Sequence, residues 1–86
     1  MKHQLVGFNQ FSYTKRDTGE LKSICELHFV RKPDLTEPNA QGSITVMCPV
    51  TNDAISLLPE LKVGSMYDCD ISSYKGFNKL RSISLI

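Results

Sequence analysis

Three groups of side chains in this sequence are of types that do chemistry. Cys25 and His28 form C-x-x-H, a pairing that serves a cysteine nucleophile with its base or two ligands of a zinc ion. Asp68 and Asp70, two positions apart, are the kind of carboxylates that bridge a divalent metal in a nuclease. The C-terminal stretch DISSYKGFNKLRSISLI crowds Tyr74, Lys75, Phe77, Lys79 and Arg81 around one turn. Rings interleaved with cations stack nucleobases and follow phosphates.

The first two groups lack support from their surroundings. At its spacing, a Cys25–His28 pair on a strand points to opposite faces. Asp68 and Asp70 share a strand face about 7 Å apart, but no third acid or histidine lies beside them, and they read as a solvated face that repels DNA. Cys25, Cys48 and Cys69 are odd in number and widely separated, with no C-x-x-C. They read as buried reduced thiols that pack like small hydrophobes. The glycines fit neither a P-loop nor a dinucleotide fingerprint. With no convergent catalytic set, the expectation is a protein that is not an enzyme and needs no cofactor or metal.

Composition narrows the classes further. Eighty-six residues make one domain, spanning 1–86. A chain this short buries only about two-thirds of its unfolded surface, which leaves little stability to spare and makes room for a homodimer. Hydrophobic content of 41% and charged content of 22% are those of a soluble globular chain. No apolar run approaches the roughly 18 residues of a membrane span, and MKHQLVGFNQ has no secretory h-region; a cytoplasmic protein is expected. The net charge of +1 is low for a nucleic-acid binder, but the distribution of charge counts for more than its sum.

The elements that must position these residues are mostly strands, because short alternating runs bounded by turn residues dominate. The first strand spans about Gln4 to Thr14, with Gly7 marking a bend or bulge. KRDTGE supplies turn chemistry, and a second strand runs from about Leu21 to Val30 with its odd positions inward. RKPDLTEPNAQG, Arg31 to Gly42, reads as a long surface loop or arm. SITVMCPV is a third strand, with Ile44, Val46, Cys48 and Val50 on one face and Pro49 implying an edge. TNDAISLLPEL changes period to a short helix capped by Asn52 or Asp53, pointing Ile55, Leu58 and Leu61 one way and stopped by Pro59. KVGSMYDCDISSY is the fourth strand, with Tyr67, Cys69 and Ile71 inward. A glycine turn, Lys75 to Asn78, leads to a last strand, Lys79 to Leu85. Five short strands with one helix between the third and fourth is the order of a small OB-like Greek-key barrel, mainly β. Closing such a barrel removes sheet edges. SH3-like barrels are the nearest rival, and the mid-chain helix argues against them.

Parity then separates core from surface. If the first hairpin loop holds an even number of residues, Val6 and Phe8 join Leu27 and Phe29 in the core. Phe11 and Tyr13 then join Lys22 and Ile24 outside, and an apolar patch on a barrel exterior marks a contact surface. An odd loop buries Phe11 and Tyr13 instead. In OB-folds ligands bind across strands two and three and the loops joining strands 1–2 and 4–5. Here the first of those loops carries Lys15 and Arg16, and the second carries Lys75 and Phe77, flanked by Tyr74 and Lys79. The bland alternative has Tyr74 and Phe77 covering a barrel end.

The run LKVGSMYDCDISSYKGFNKLRSISLI resembles the gene V-type single-stranded DNA-binding proteins of filamentous phages. The likeness lies in a glycine, an aromatic, an alternating strand, Ser72-Ser73, Tyr74, the Lys75-Gly76 turn and a final strand with a basic residue. GELKSICE is similar to that family's second strand, through Gly19, Ser23 and Glu26. The likeness extends over about Phe11 to Leu85. It implies an OB-like barrel that binds single-stranded DNA cooperatively, with little sequence preference, as a homodimer. It also implies a DNA contact for Tyr74 and a basic first hairpin at Arg16. In three places the chain departs from the family. Lys22 stands where the family has a tyrosine, with Tyr13 across the strand pair. RKPDLTEPNAQG is longer and more acidic, and TNDAISLLPE is more helical, as in OB-folds from other phages and mobile elements.

The resulting expectation is a sequence-tolerant single-stranded DNA-binding protein of a phage or mobile element, coating single strands during replication in the bacterial host cytoplasm. RNA is the other candidate ligand. The binding residues are expected to be Phe11, Tyr13, Lys15, Arg16, Lys22, Tyr74, Lys75, Phe77, Lys79 and Arg81. The competing expectation is a small barrel that grips a host or replication protein.

Overall fold

The alternation read from the sequence folds into five antiparallel strands of one sheet. The computed structural model describes Met1–Ile86. The strands are β1 (Lys2–Thr14), β2 (Leu21–Arg31), β3 (Ile44–Thr51), β4 (Met66–Tyr74) and β5 (Phe77–Leu85), in the spatial order β3-β2-β1-β4-β5. Three hairpin-linked strands with the fourth returning beside the first make a Greek key. The sheet curls toward a barrel but does not close, because β3 and β5 share no ladder. Instead the side chain of Asn78 reaches across the seam and donates to the Met47 carbonyl at 3.0 Å. The expected closed barrel is thus corrected to an open one, and Pro49 does lie on an edge strand.

The core is small. Leu5, Cys25, Leu27, Phe29, Cys48, Val50, Tyr67 and Cys69 are buried, and Ile55, Leu58, Leu61, Ile71, Leu80 and Ile83 pack partly against them. The odd positions of β2 and even positions of β3 alternate inward, as the sequence leads one to expect. Tyr67 is the only ring with a hydroxyl in this core. Its hydroxyl donates to the Glu60 carbonyl at 2.7 Å and accepts the Lys62 amide at 2.9 Å, pinning the chain that leads into β4. All three cysteines are free, and burial raises their thiols, that of Cys69 up to about 11. At neutral pH they stay protonated and inert.

Two expectations for β1, that Val6 and Phe8 join the core, fail. The register slips between Leu5 and Gly7: Leu5 lies opposite Phe29, Gly7 opposite His28, and Val6 is left unpaired. A bulge inserts one residue and reverses side-chain parity beyond it. Leu5 therefore takes the core place assigned to Val6. Val6 and Phe8 remain 48% and 43% exposed. Phe8 does face the same way as its partner Leu27, but Leu5 is the last buried residue of β1 and Phe8 to Thr14 are all exposed. Past Ile24, where β3 ends at Thr51, β1 and β2 continue as a two-stranded ribbon. His3, expected in a frayed terminus, is buried: β1 begins at Lys2, and Lys2, His3 and Gln4 pair with Asp68, Tyr67 and Met66 of β4.

The element between β3 and β4 is a short 3-10 helix, Asn52–Leu57, and lacks the expected side-chain cap. Asn52 has a φ of 51°, outside helical space, and its side-chain oxygen accepts the Ser23 amide of β2 at 3.2 Å. With that side chain engaged elsewhere and Pro59 close behind, six residues complete only a tight 3-10 turn. β4 starts at Met66, four residues later than read, because Lys62–Ser65 form a turn in which Gly64 has φ 93°. β5 starts two residues earlier, at Phe77. Lys75 and Gly76, with φ 49° and 81°, form a two-residue hairpin turn alone. No helix is long and apolar enough to cross a membrane.

Candidate functional site

The hairpin between β1 and β2 has a six-residue loop, Lys15–Glu20, so the even parity holds. The Lys15 amide donates to the Glu20 carbonyl and the Gly19 amide to the Lys15 carbonyl, with Gly19 at φ 69°. Phe11 lies directly opposite Ile24, and Tyr13 opposite Lys22. Ile24 in turn lies opposite Thr51 of β3. These residues share the outer face. Phe11 and Tyr13 are 40% and 45% exposed, although each is apolar enough to occupy a core. Lys15 and Arg16 extend from the loop at the ribbon's end, and Lys22 holds Glu20 at 3.3 Å.

The second group sits on the β4–β5 hairpin. Tyr74 and Phe77 are cross-strand partners, 74% and 78% exposed. Phe77 is a strand residue rather than a loop residue, and the left-handed turn that places the two rings side by side needs only Lys75 and Gly76. The Lys75 ammonium lies 5.4 Å from the centre of the Tyr74 ring, so ring and cation form one cation–π unit. Lys79 is opposite Ser72, on the same outer face as Tyr74 and Phe77. Arg81 is the extra residue of a second bulge, where the register slips between Asp70 and Ile71. Its Nε donates to Ser72 Oγ at 3.2 Å.

The two groups are not one continuous patch. β1 and β4 pair only over Lys2–Gln4 and Met66–Asp68, and from there the ribbon and the β4–β5 hairpin run in opposite directions. The curl of the sheet brings the hairpin alongside β3 at the Asn78–Met47 bond. Met47 is opposite His28, which is opposite Gly7. That row lies between the groups, and sequence reading missed it. The next row toward Phe11 is Asn9–Glu26–Pro49. Glu26 is half-buried and makes no ion pair. The β1–β2 register is the signal that reveals these rows, and it becomes readable only once the bulge is located.

The other candidates separate as their spacing implies. Cys25 is buried and His28 exposed, on opposite faces. Asp68 and Asp70 lie on the outer face of β4, and Asp68 accepts the terminal ammonium of Met1 at 2.9 Å. That bond holds the Asp68 carboxyl below its usual range and raises the amine. No group of three or more His, Cys, Asp or Glu side chains is placed to hold a metal ion. No protein-family model, curated protein or solved structure matches the chain.

Proposed function

We propose that this protein is a non-enzymatic single-stranded DNA-binding module that coats strands with little regard to sequence, in the manner of small proteins from phages and mobile elements. The observation that carries this reading is the outward position of Phe11 and Tyr13 beside Ile24 and Lys22, on one face of the β1–β2 pair. A base stacked on an exposed ring is worth roughly 1–3 kcal/mol and is tolerant of sequence. The Tyr74–Phe77 pair with Lys75 and Lys79 offers a second platform, and Lys15, Arg16 and Arg81 add charge toward the phosphates. The fold supports the reading through its OB-like order, since such barrels use this face and these two hairpins.

The test is a gel-shift titration of the protein with oligo-dT and with duplex DNA at two salt concentrations. Oligo-dT should be retained in preference to duplex. Its log K should fall with log salt by about 0.7 for each phosphate contacted. Absence of binding to oligo-dT in dilute buffer overturns the proposal. The half-buried acid Glu26, in the middle of the face, favours a second reading as a protein-interaction module. Capture of a partner protein that oligo-dT cannot displace would support it.

A further inference from the structure

Two features of the surface lie apart from the stacking rings, the second sharing only Arg81 with the proposed binding residues. The first is Leu35, wholly exposed on the segment Lys32–Ser43 between β2 and β3. The segment is braced rather than loose. Arg31 grips Glu37 with both terminal nitrogens, at 2.7 and 3.0 Å. The Asp34 carboxylate accepts the Thr36 amide and hydroxyl, while its carbonyl accepts the Glu37 amide. These bonds hold an apolar side chain out in water, where it gains nothing from the fold.

The second is the unclosed seam. Between the end of β3, the 3-10 helix and β5 lies a cleft of about 260 Å³. Val50, Leu57, Leu58, Leu80 and Ile83 line it, with Arg81 at its rim. An apolar cavity of about 150 Å³ holds a benzene molecule, so this cleft admits a leucine side chain. Asp34, beside Leu35, is held as a carboxylate by its bonds to Thr36. Arg81 carries the opposite charge and has no carboxylate partner.

The projecting leucine and the cleft lie at opposite ends of β3. The arm enters at Ile44 and the cleft begins at Val50, about 20 Å along the strand. The braced arm cannot turn Leu35 back into its own molecule's cleft. We infer that the Asp34–Leu35 arm of one copy docks in the Val50–Leu57–Ile83 cleft of a second copy, with Asp34 against Arg81. The two surfaces are different patches, so the contact is head-to-tail. Such contacts propagate into open chains unless the rotation happens to close a ring. One buried leucine makes the contact weak. It forms at high concentration, or where copies are held close together at effective concentrations in the millimolar range. The inference does not depend on nucleic-acid binding.

Sedimentation velocity of the full chain tests it, at concentrations up to about 1 mM. The wild-type sedimentation coefficient should rise with concentration and not level off at a dimer. Leu35→Asp and Leu57→Asp, both exposed positions, should each remain monomeric with unchanged circular dichroism. An equimolar mixture of the two should form dimers and stop there, because one variant keeps the cleft and the other keeps the leucine. A wild type that stays monomeric, single variants that still assemble, a closed dimer indifferent to Leu35, or a mixture that stays monomeric would each overturn the inference.

Discussion

Asn78 Nδ2 donates to the backbone oxygen of Met47 at 3.0 Å, a hydrogen bond across the seam between β5 and β3. No ladder joins those strands, so this side chain does the work that backbone pairing does elsewhere in the sheet. A typical hydrogen bond contributes about 0.5–1.5 kcal/mol net. Asn78→Ala should lower unfolding stability by that amount in urea denaturation and speed amide exchange in β5. A midpoint equal to wild type would show that packing alone holds the seam.

Tyr74 and Phe77 are so exposed that truncating them removes little from the fold. Their cross-strand contact is worth about 0.2–1 kcal/mol. Loss of one stacked base costs roughly 1–3 kcal/mol, so Tyr74→Ala or Phe77→Ala should weaken oligo-dT binding about 5- to 150-fold. Melting temperature and Kd measured on the same preparations separate the two effects. Parallel losses in both would mean that the rings cover a barrel end and bind nothing.

Glu26 presents a negative charge between the Phe11 row and the His28 row. Phosphates that follow the face must avoid it. Glu26→Gln preserves shape and removes the charge, so it should tighten oligo-dT binding several-fold at low salt and less at high salt, since screening shortens the reach of charge. Fluorescence titration at two ionic strengths reads this directly. Weaker binding by the variant would place the carboxylate among the groups that contact the strand.

Stability should decline in two steps as pH falls. Burial lowers the pKa of His3, opposed by the Met1 carbonyl that pairs with its Nδ1. The Met1 ammonium and Arg31 lower it further, and Asp68 raises it. The unfolded chain therefore takes up this proton first, at about pH 6.5, and stability is lost from there down to the folded-state pKa. Asp34, Glu37 and Asp68 have lowered pKa values. Their contribution is present above the unfolded value of about 4 and is lost below it. His3→Asn, whose Nδ2 can still donate to the Met1 carbonyl, should abolish the first step and leave the second. Chemical denaturation across pH 3–8, roughly the span of these pKa values, shows whether it does.

Much of this architecture was legible because strand parity is a local property. The inward set Cys25, Leu27 and Phe29, the edge position of Pro49 and the outward set Phe11, Tyr13, Lys22 and Ile24 all follow from alternation and an even loop. What escaped depends on relations between distant segments. Gly7 announces a bend but does not say that Val6 is the residue left unpaired. His3 looks like loose chain until β4 lies beside it. Asn52 looks like a helix cap until Ser23 claims its side chain. The link between Asn78 and Met47 exists only because the sheet curls.

The unpaired residue at Val6 has a consequence for how this surface can change over generations. Substitutions can trade one ring for another at Phe11 or Tyr13, but none moves either to the opposite side of the ribbon. Loss of the Val6 codon would remove the unpaired residue and leave Phe11 opposite Ile24 and Tyr13 opposite Lys22. Drawing Val6 into the ladder opposite His28 would instead slip every later residue of β1 by one and present Phe8 where the other two rings had been. Whether Val6 stays outside the ladder, more than which rings stand at Phe11 and Tyr13, decides which side of the strand meets the outside world.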